Sequence, residues 1–191
     1  MIVIFGGAFN PPTIAHYEVA KHVTNRPDVS ELVFVPVGDH YEKAGLAPAF
    51  HRINMLEVVT KKLLNTSVST IETDAPQPLK TIETLEKLQT FYPEKTLAFV
   101  MGADNLHDFS NWYDYQRLIK TFKILVVNRQ NSDVKCFVEE KFPQEKGNFI
   151  LMDDFVPLNV SSTQYRLDTT SSNLILPEVE TYIKAHGLYK D

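Results

Sequence analysis

Short apolar runs recur along the chain at 2–5, 32–36, 68–71, 97–101, 124–127 and 149–152, separated by longer mixed stretches. They are rich in Val, Ile, Leu and Phe without strict alternation, as expected for strands covered on both faces of a parallel sheet. The intervening segments follow a helical period. Residues 13–23 set Ile14, Tyr17, Ala20 and Lys21 around one helix, 51–64 carry Ile53, Leu56, Val59 and Leu63 on a stripe, and 79–91 continue with Leu79, Ile82, Leu85 and Leu88. Strand alternating with helix predicts an α/β fold, a Rossmann-like doubly wound parallel sheet joined by right-handed crossovers. The pattern changes near 161, where two helical stretches follow, the second opening at Pro177 and closing before Gly187. That predicts a short C-terminal helical portion over about 161–191, packed on the sheet edge or roofing its mouth.

A length of 191 residues suits one domain, 1–191, and 43% hydrophobic with 23% charged residues is ordinary globular composition. The formal charge of −5 leaves no basic excess for tracking a nucleic-acid backbone, which predicts no polymeric nucleic acid as partner. A single phosphate cluster needs only a few backbone N–H groups, a helix N-terminus and one or two basic side chains. One cysteine, Cys136, cannot form a disulfide or a cysteine zinc site within the chain. No apolar run reaches the ~18 residues of a membrane span, and MIVIF is too short for a signal peptide. These features predict a cytoplasmic protein with no membrane partner; homo-oligomerisation stays open.

Candidate chemistry gathers at the first strand's exit, MIVIFGGAFNPPTIAH. In an open α/β sheet ligands bind beyond the carboxyl ends of the strands where strand order reverses. Gly6 and Gly7 let backbone approach a ligand closely, and a helix beginning near Thr13 would aim its N-terminus at an anion. The spacing fits neither G-x-G-x-x-G nor a P-loop. A second anion-binding signature is VSSTQYR, where Ser161, Ser162 and Thr163 are natural N-cap residues and Arg166 follows one turn later. MGADN sets Asp104 at a strand's carboxyl end, positioned to accept from ribose hydroxyls, and Trp112 with Tyr113 offers aromatic surface.

TIAH resembles the T/HxGH signature of the nucleotidyltransferase superfamily, and GGAFNPPTIAH resembles the opening of bacterial nicotinate mononucleotide adenylyltransferases. The resemblance continues in the family's order through VPVGDHYEK, HRINML, the stretch around Lys80 to Leu85, MGADNLHDFSNWY, VSSTQYR and LPEVETYIKAHGLY. It implies transfer of AMP from ATP to nicotinate mononucleotide, giving deamido-NAD and pyrophosphate, with Mg2+ arriving on the ATP and no resident metal site. The resemblance assigns Thr13, His16, Lys43 and Arg166 to catalysis. It assigns Gly6, Gly7, Phe9, His16, Ser161, Ser162, Thr163 and Arg166 to ATP, and Asn10, Lys80, Thr81, Asp104, Trp112 and Tyr113 to the acceptor. The sequence departs from the family at Thr13, Ala15, Glu42 and Lys80, and in the LDTTSSN that follows Arg166. Lys80 either reaches the pyridine carboxylate or points to solvent. Two other readings fit the same residues: an adenylyltransferase for nicotinamide mononucleotide or phosphopantetheine, and a nucleotide-binding regulator without turnover.

Overall fold

The computed structural model describes residues 1–41, 44–127 and 133–189. Six strands form one sheet: β1 (Ile2–Gly7), β2 (Glu31–Pro36), β3 (Thr66–Val68), β4 (Leu97–Gly102), β5 (Lys123–Val127) and β6 (Phe149–Met152). Their order is β3-β2-β1-β4-β5-β6, and every pairing is parallel. Strand order therefore reverses between β1 and β4, which pair through Ile2 with Leu97, Val3 with Ala98 and Ile4 with Phe99. Beyond Phe99 the two strands diverge, and their carboxyl ends open a crevice.

Helices cover both faces. α1 (Ile14–Thr24), α2 (Ala49–Thr60), α7 (Ser162–Leu167) and α8 (Pro177–His186) pack on one; α3 (Thr81–Phe91), α4 (Ala103–Leu106), α5 (Tyr115–Thr121) and α6 (Val134–Lys141) pack on the other. The strands feed both layers by alternation. Ile2 and Ile4 point into the α3 layer with Ile82, Leu85 and Leu88, whereas Val3 points into the α1 layer with Ala20, Val23 and Leu56. Each such aliphatic side chain stabilises the fold by ~1.5–3 kcal/mol on burial. Among the described residues no helix is long and apolar enough to cross a membrane.

The α/β class and all six predicted strands are present, and α8 has the expected bounds, with Pro177 in its first turn and Gly187 at φ 62° just past its end. The differences are at edges. β3 lies at 66–68 rather than 68–71, because 70–74 close a turn in which the Asp74 N–H donates to the Thr70 carbonyl at 2.8 Å. α2 ends at Thr60, four residues before the predicted end, and 61–63 turn toward the edge strand.

Candidate active site

A cavity of about 670 Å3 occupies the crevice. Gly6 and Gly7 from β1 and Gly102 from β4 form part of its floor. A Cβ on Gly6 would stand 3.2 Å from the Phe99 ring, and one on Gly7 would stand 3.1 Å from the Phe9 ring. Both glycines thus let an aromatic ring lie against the backbone, and the floor stays low.

One wall comes from the α1 layer: Ala15 and His16 of α1 face Ser161, Ser162 and Thr163 at the start of α7. His16 is held by its own helix start. The Thr13 N–H donates to His16 Nδ1 at 2.9 Å, and the Thr13 hydroxyl lies 2.8 Å from the same nitrogen. An Nδ1 that accepts from a backbone amide leaves the neutral ring's proton on Nε2, the edge suited to donate to an anion. Phe9 and Phe5 fix the ring plane, with centroids 5.1 and 5.9 Å from it. Across the wall, Ser161 caps α7: its hydroxyl accepts from the Gln164 N–H at 3.2 Å and its own N–H donates to Gln164 Oε1 at 2.6 Å. Ser162 Oγ donates to the Pro11 carbonyl at 2.7 Å, which ties α7 to the corner after β1.

The opposite wall belongs to the α3 layer. Trp112 stands edge-on to Phe99 and Phe109, and its indole shares the wall with Leu79, Thr81, Thr84 and Leu85. Glu72 enters here from the turn after β3, its carboxylate accepting from Thr84 Oγ1 at 2.7 Å. Burial pushes the Glu72 carboxyl up from the usual glutamate value, and the Thr84 hydrogen bond opposes that shift without cancelling it.

The structure thus brings Gly6, Gly7, His16, Thr81, Trp112, Ser161, Ser162 and Thr163 around one cavity. Other expected residues stand elsewhere. Thr13 is 1% exposed, so its hydroxyl serves His16 rather than reaching a phosphate. Phe9, also 1% exposed, wedges between Phe5, Phe34 and His16 with φ 47°; its ring supports the histidine from within and does not line the cavity. Asn10 is wholly buried, with its amide bonded to Gly45, Ala47 and Tyr189, which turns it toward the interior and away from the cavity. Arg166 is half-buried behind the cavity wall, donating to the Asn10 carbonyl at 2.6 Å and to Thr163 Oγ1 at 3.2 Å. Lys80 is exposed at the start of α3, where its backbone N–H donates to the Glu83 carboxylate at 2.7 Å. Tyr113 is 60% exposed, and Asp104 is exposed between two cavity residues, Gly102 and Asn105. Lys43 lies outside the described residues.

A sequence model of the cytidylyltransferase-like family matches residues 4–167, from within β1 to the end of α7. The chain belongs to that family. Within this cytidylyltransferase-like group it is 30% identical to the probable nicotinate-nucleotide adenylyltransferase of Caldicellulosiruptor bescii, over 99% of this chain and 98% of the relative. It is 31% identical to the probable nicotinate-nucleotide adenylyltransferase of Carboxydothermus hydrogenoformans, with the same coverage. The structure superposes with a TM-score of 0.81 on the nicotinic acid mononucleotide adenylyltransferase of Plasmodium falciparum complexed with NaAD, covering 98% of this chain and 96% of that one. At 22% identity that last likeness is one of fold.

Two residues here reach their partners only through the fold. Glu72 sits in a polar turn, and only the fold brings it to Thr84, twelve positions later. Tyr189 reaches Asn10 across 179 positions. Among the described residues no group of three or more His, Cys, Asp or Glu could hold a metal ion. The donors on the α1 wall are imidazole, hydroxyls and backbone N–H groups, a set that suits phosphate oxygens.

Proposed function

We propose that this protein transfers the adenylyl group of ATP to nicotinate mononucleotide, giving deamido-NAD and pyrophosphate. The observation that carries the reading is His16, with its Nδ1 held by Thr13, standing across from the capped start of α7 at the switch point of the sheet. Names of relatives along the full length of the chain support the acid as acceptor.

In the reaction a phosphate oxygen of the mononucleotide attacks the α-phosphorus of ATP, and the bond from that phosphorus to the bridging oxygen breaks. The electron pair leaves with pyrophosphate. Both reactants are already anions, so the protein has to align them and absorb charge; alignment supplies up to ~7–11 kcal/mol in favourable cases. His16 Nε2–H and the N–H groups beginning α7 would donate to phosphate oxygens, and Arg166 would add positive charge from behind Thr163. Magnesium would arrive on the triphosphate as part of that substrate and neutralise phosphate charge. The indole of Trp112 gives the pyridine ring a flat partner, and Asp104 would accept from a ribose hydroxyl.

One observation favours a second acceptor. The Glu72 carboxyl on the α3 wall can accept from an amide N–H, and once ionised it repels a carboxylate, which suits nicotinamide mononucleotide. The test is pyrophosphate release from Mg-ATP with the acid, the amide and phosphopantetheine offered separately. Fastest release with the acid, reduced about 10²–10³-fold in kcat by His16→Ala, is expected if one preorganised donor is removed. Faster release with the amide would replace the acceptor; ATP binding without release from any acceptor would replace the enzyme by a nucleotide-binding regulator.

A further inference from the structure

Behind the cavity wall, one buried side chain gathers the phosphate-facing elements. Asn10 is 0% exposed. Its Nδ2 donates to the Gly45 carbonyl at 2.7 Å, while its Oδ1 accepts from the Ala47 N–H at 2.9 Å and from the Tyr189 hydroxyl at 2.8 Å. Its own carbonyl accepts from Arg166 at 2.6 Å, and the next carbonyl, on Pro11, accepts from Ser162 Oγ at 2.7 Å. Residues 10–13 therefore hold Arg166, Ser162 and His16 through direct bonds.

Tyr189 joins this cluster from the segment after α8, and it grips two elements at once. Its ring stands edge-on to Tyr165 of α7, with centroids 6.3 Å apart, while its hydroxyl reaches the corner after β1. A carboxamide can rotate by half a turn and exchange its O and N ends. The exchanged orientation sets the NH2 group against the Ala47 N–H and the amide oxygen against the Gly45 carbonyl, forfeiting both bonds, and would turn the phenol from donor to acceptor. Burial keeps the phenol protonated well above the usual tyrosine range, although the Arg166 and Arg52 guanidinium groups pull the other way, so the hydroxyl remains a donor at working pH.

We propose that Tyr189 is a positioning residue of the nucleotide site: by donating to Asn10 Oδ1 it fixes the corner from which Arg166 addresses the ATP phosphates. The proposal rests on the adenylyl-transfer reading for its ligand. Its readout, however, is ATP affinity, which does not require turnover.

The experiment is calorimetric titration of Mg-ATP into wild type, Tyr189→Phe, Arg166→Ala and the double variant, with a thermal melt of each. The phenylalanine keeps the ring on Tyr165 and removes only the donor. The expected result is a loss of about tenfold in ATP affinity for Tyr189→Phe, with acceptor affinity within about twofold and Tm within about 2 °C of wild type. The double variant should lose no more than Arg166→Ala alone, because the hydroxyl acts through the same group. Unchanged ATP affinity in Tyr189→Phe, or losses that multiply in the double variant, would overturn the proposal. So would a weakened affinity that tracks a large fall in Tm, which assigns the hydroxyl to folding alone. Failure of wild type to bind ATP would overturn it as well, whereas ATP binding without pyrophosphate release would count against the catalytic reading only.

Discussion

At the scale of single residues, the site sorts its polar groups by what they touch. His16 receives its orientation from Thr13, and Glu72 receives a proton affinity from its surroundings. Because burial raises the Glu72 pKa above the ordinary value of 4.5, the folded protein holds this proton more tightly than the unfolded chain does. The sign follows from linkage: the contribution to stability is complete below the unfolded value and is lost as pH rises through the higher folded value. Glu72→Gln keeps an acceptor for Thr84 Oγ1 and removes the titration. Paired melts between about pH 4 and about pH 8 should therefore have the variant gaining on wild type as pH rises, and a constant offset would contradict the assignment. Residue identity alone revealed part of this arrangement. His16 and the Ser161 to Thr163 run were legible because their neighbours form a motif. Asn10 and Phe9 were legible as site residues but not as interior ones, since a polar or aromatic side chain in a glycine-rich corner reads the same whichever way it turns.

At the scale of elements, the joints between strands and loops set the cavity's dimensions. Gly38 follows β2, and a Cβ there would meet the Glu72 carbonyl at 2.6 Å. Gly38→Ala must push apart the exit of β2 and the turn after β3. A cost of ~1–3 kcal/mol is expected from such overpacking, measured by denaturant unfolding, together with a weaker pH dependence once Glu72 is displaced from Thr84. The element pattern itself was largely readable. Strands with dense Val, Ile and Leu declared themselves, α3 showed a clear stripe, and α8 was bracketed by Pro177 and Gly187. α5, with Leu118 and Ile119 as its buried residues, is too short to establish a period, and the same holds for α6, with Val134 and Val138. β3 escaped its expected position because an edge strand of three half-buried residues, Thr66 to Val68, has little apolar signal to offer.

At the scale of the whole molecule, the two substrates would seat on different layers of one sheet and share the strand ends between them. Binding of either should stabilise the entire fold. Mg-ATP at about one hundred times its Kd contributes ~2.7 kcal/mol, which for a chain of this size corresponds to a Tm rise of roughly 5–10 °C. A rise absent in wild type, measured by a thermal melt, would remove ATP as ligand. The global topology was the most legible property of all, because short apolar runs alternating with longer mixed segments admit few other arrangements. The long-range pairs were the least legible, since Tyr189 with Asn10 and Ser162 with Pro11 depend on how distant segments meet.

Alternation along β1 sends Ile4 to one layer and Val3 to the other, so the walls of the crevice are anchored in separate cores and have few side chains in common. The molecule resembles a vice whose jaws are mounted on opposite sides of a common bar. Reshaping one jaw need not disturb the other. On the adenylyl-transfer reading, substitutions at Leu79, Thr81, Thr84 or Leu85 would then retune the choice of acceptor while the grip on ATP persists, a route to new acceptors that leaves the nucleotide in place.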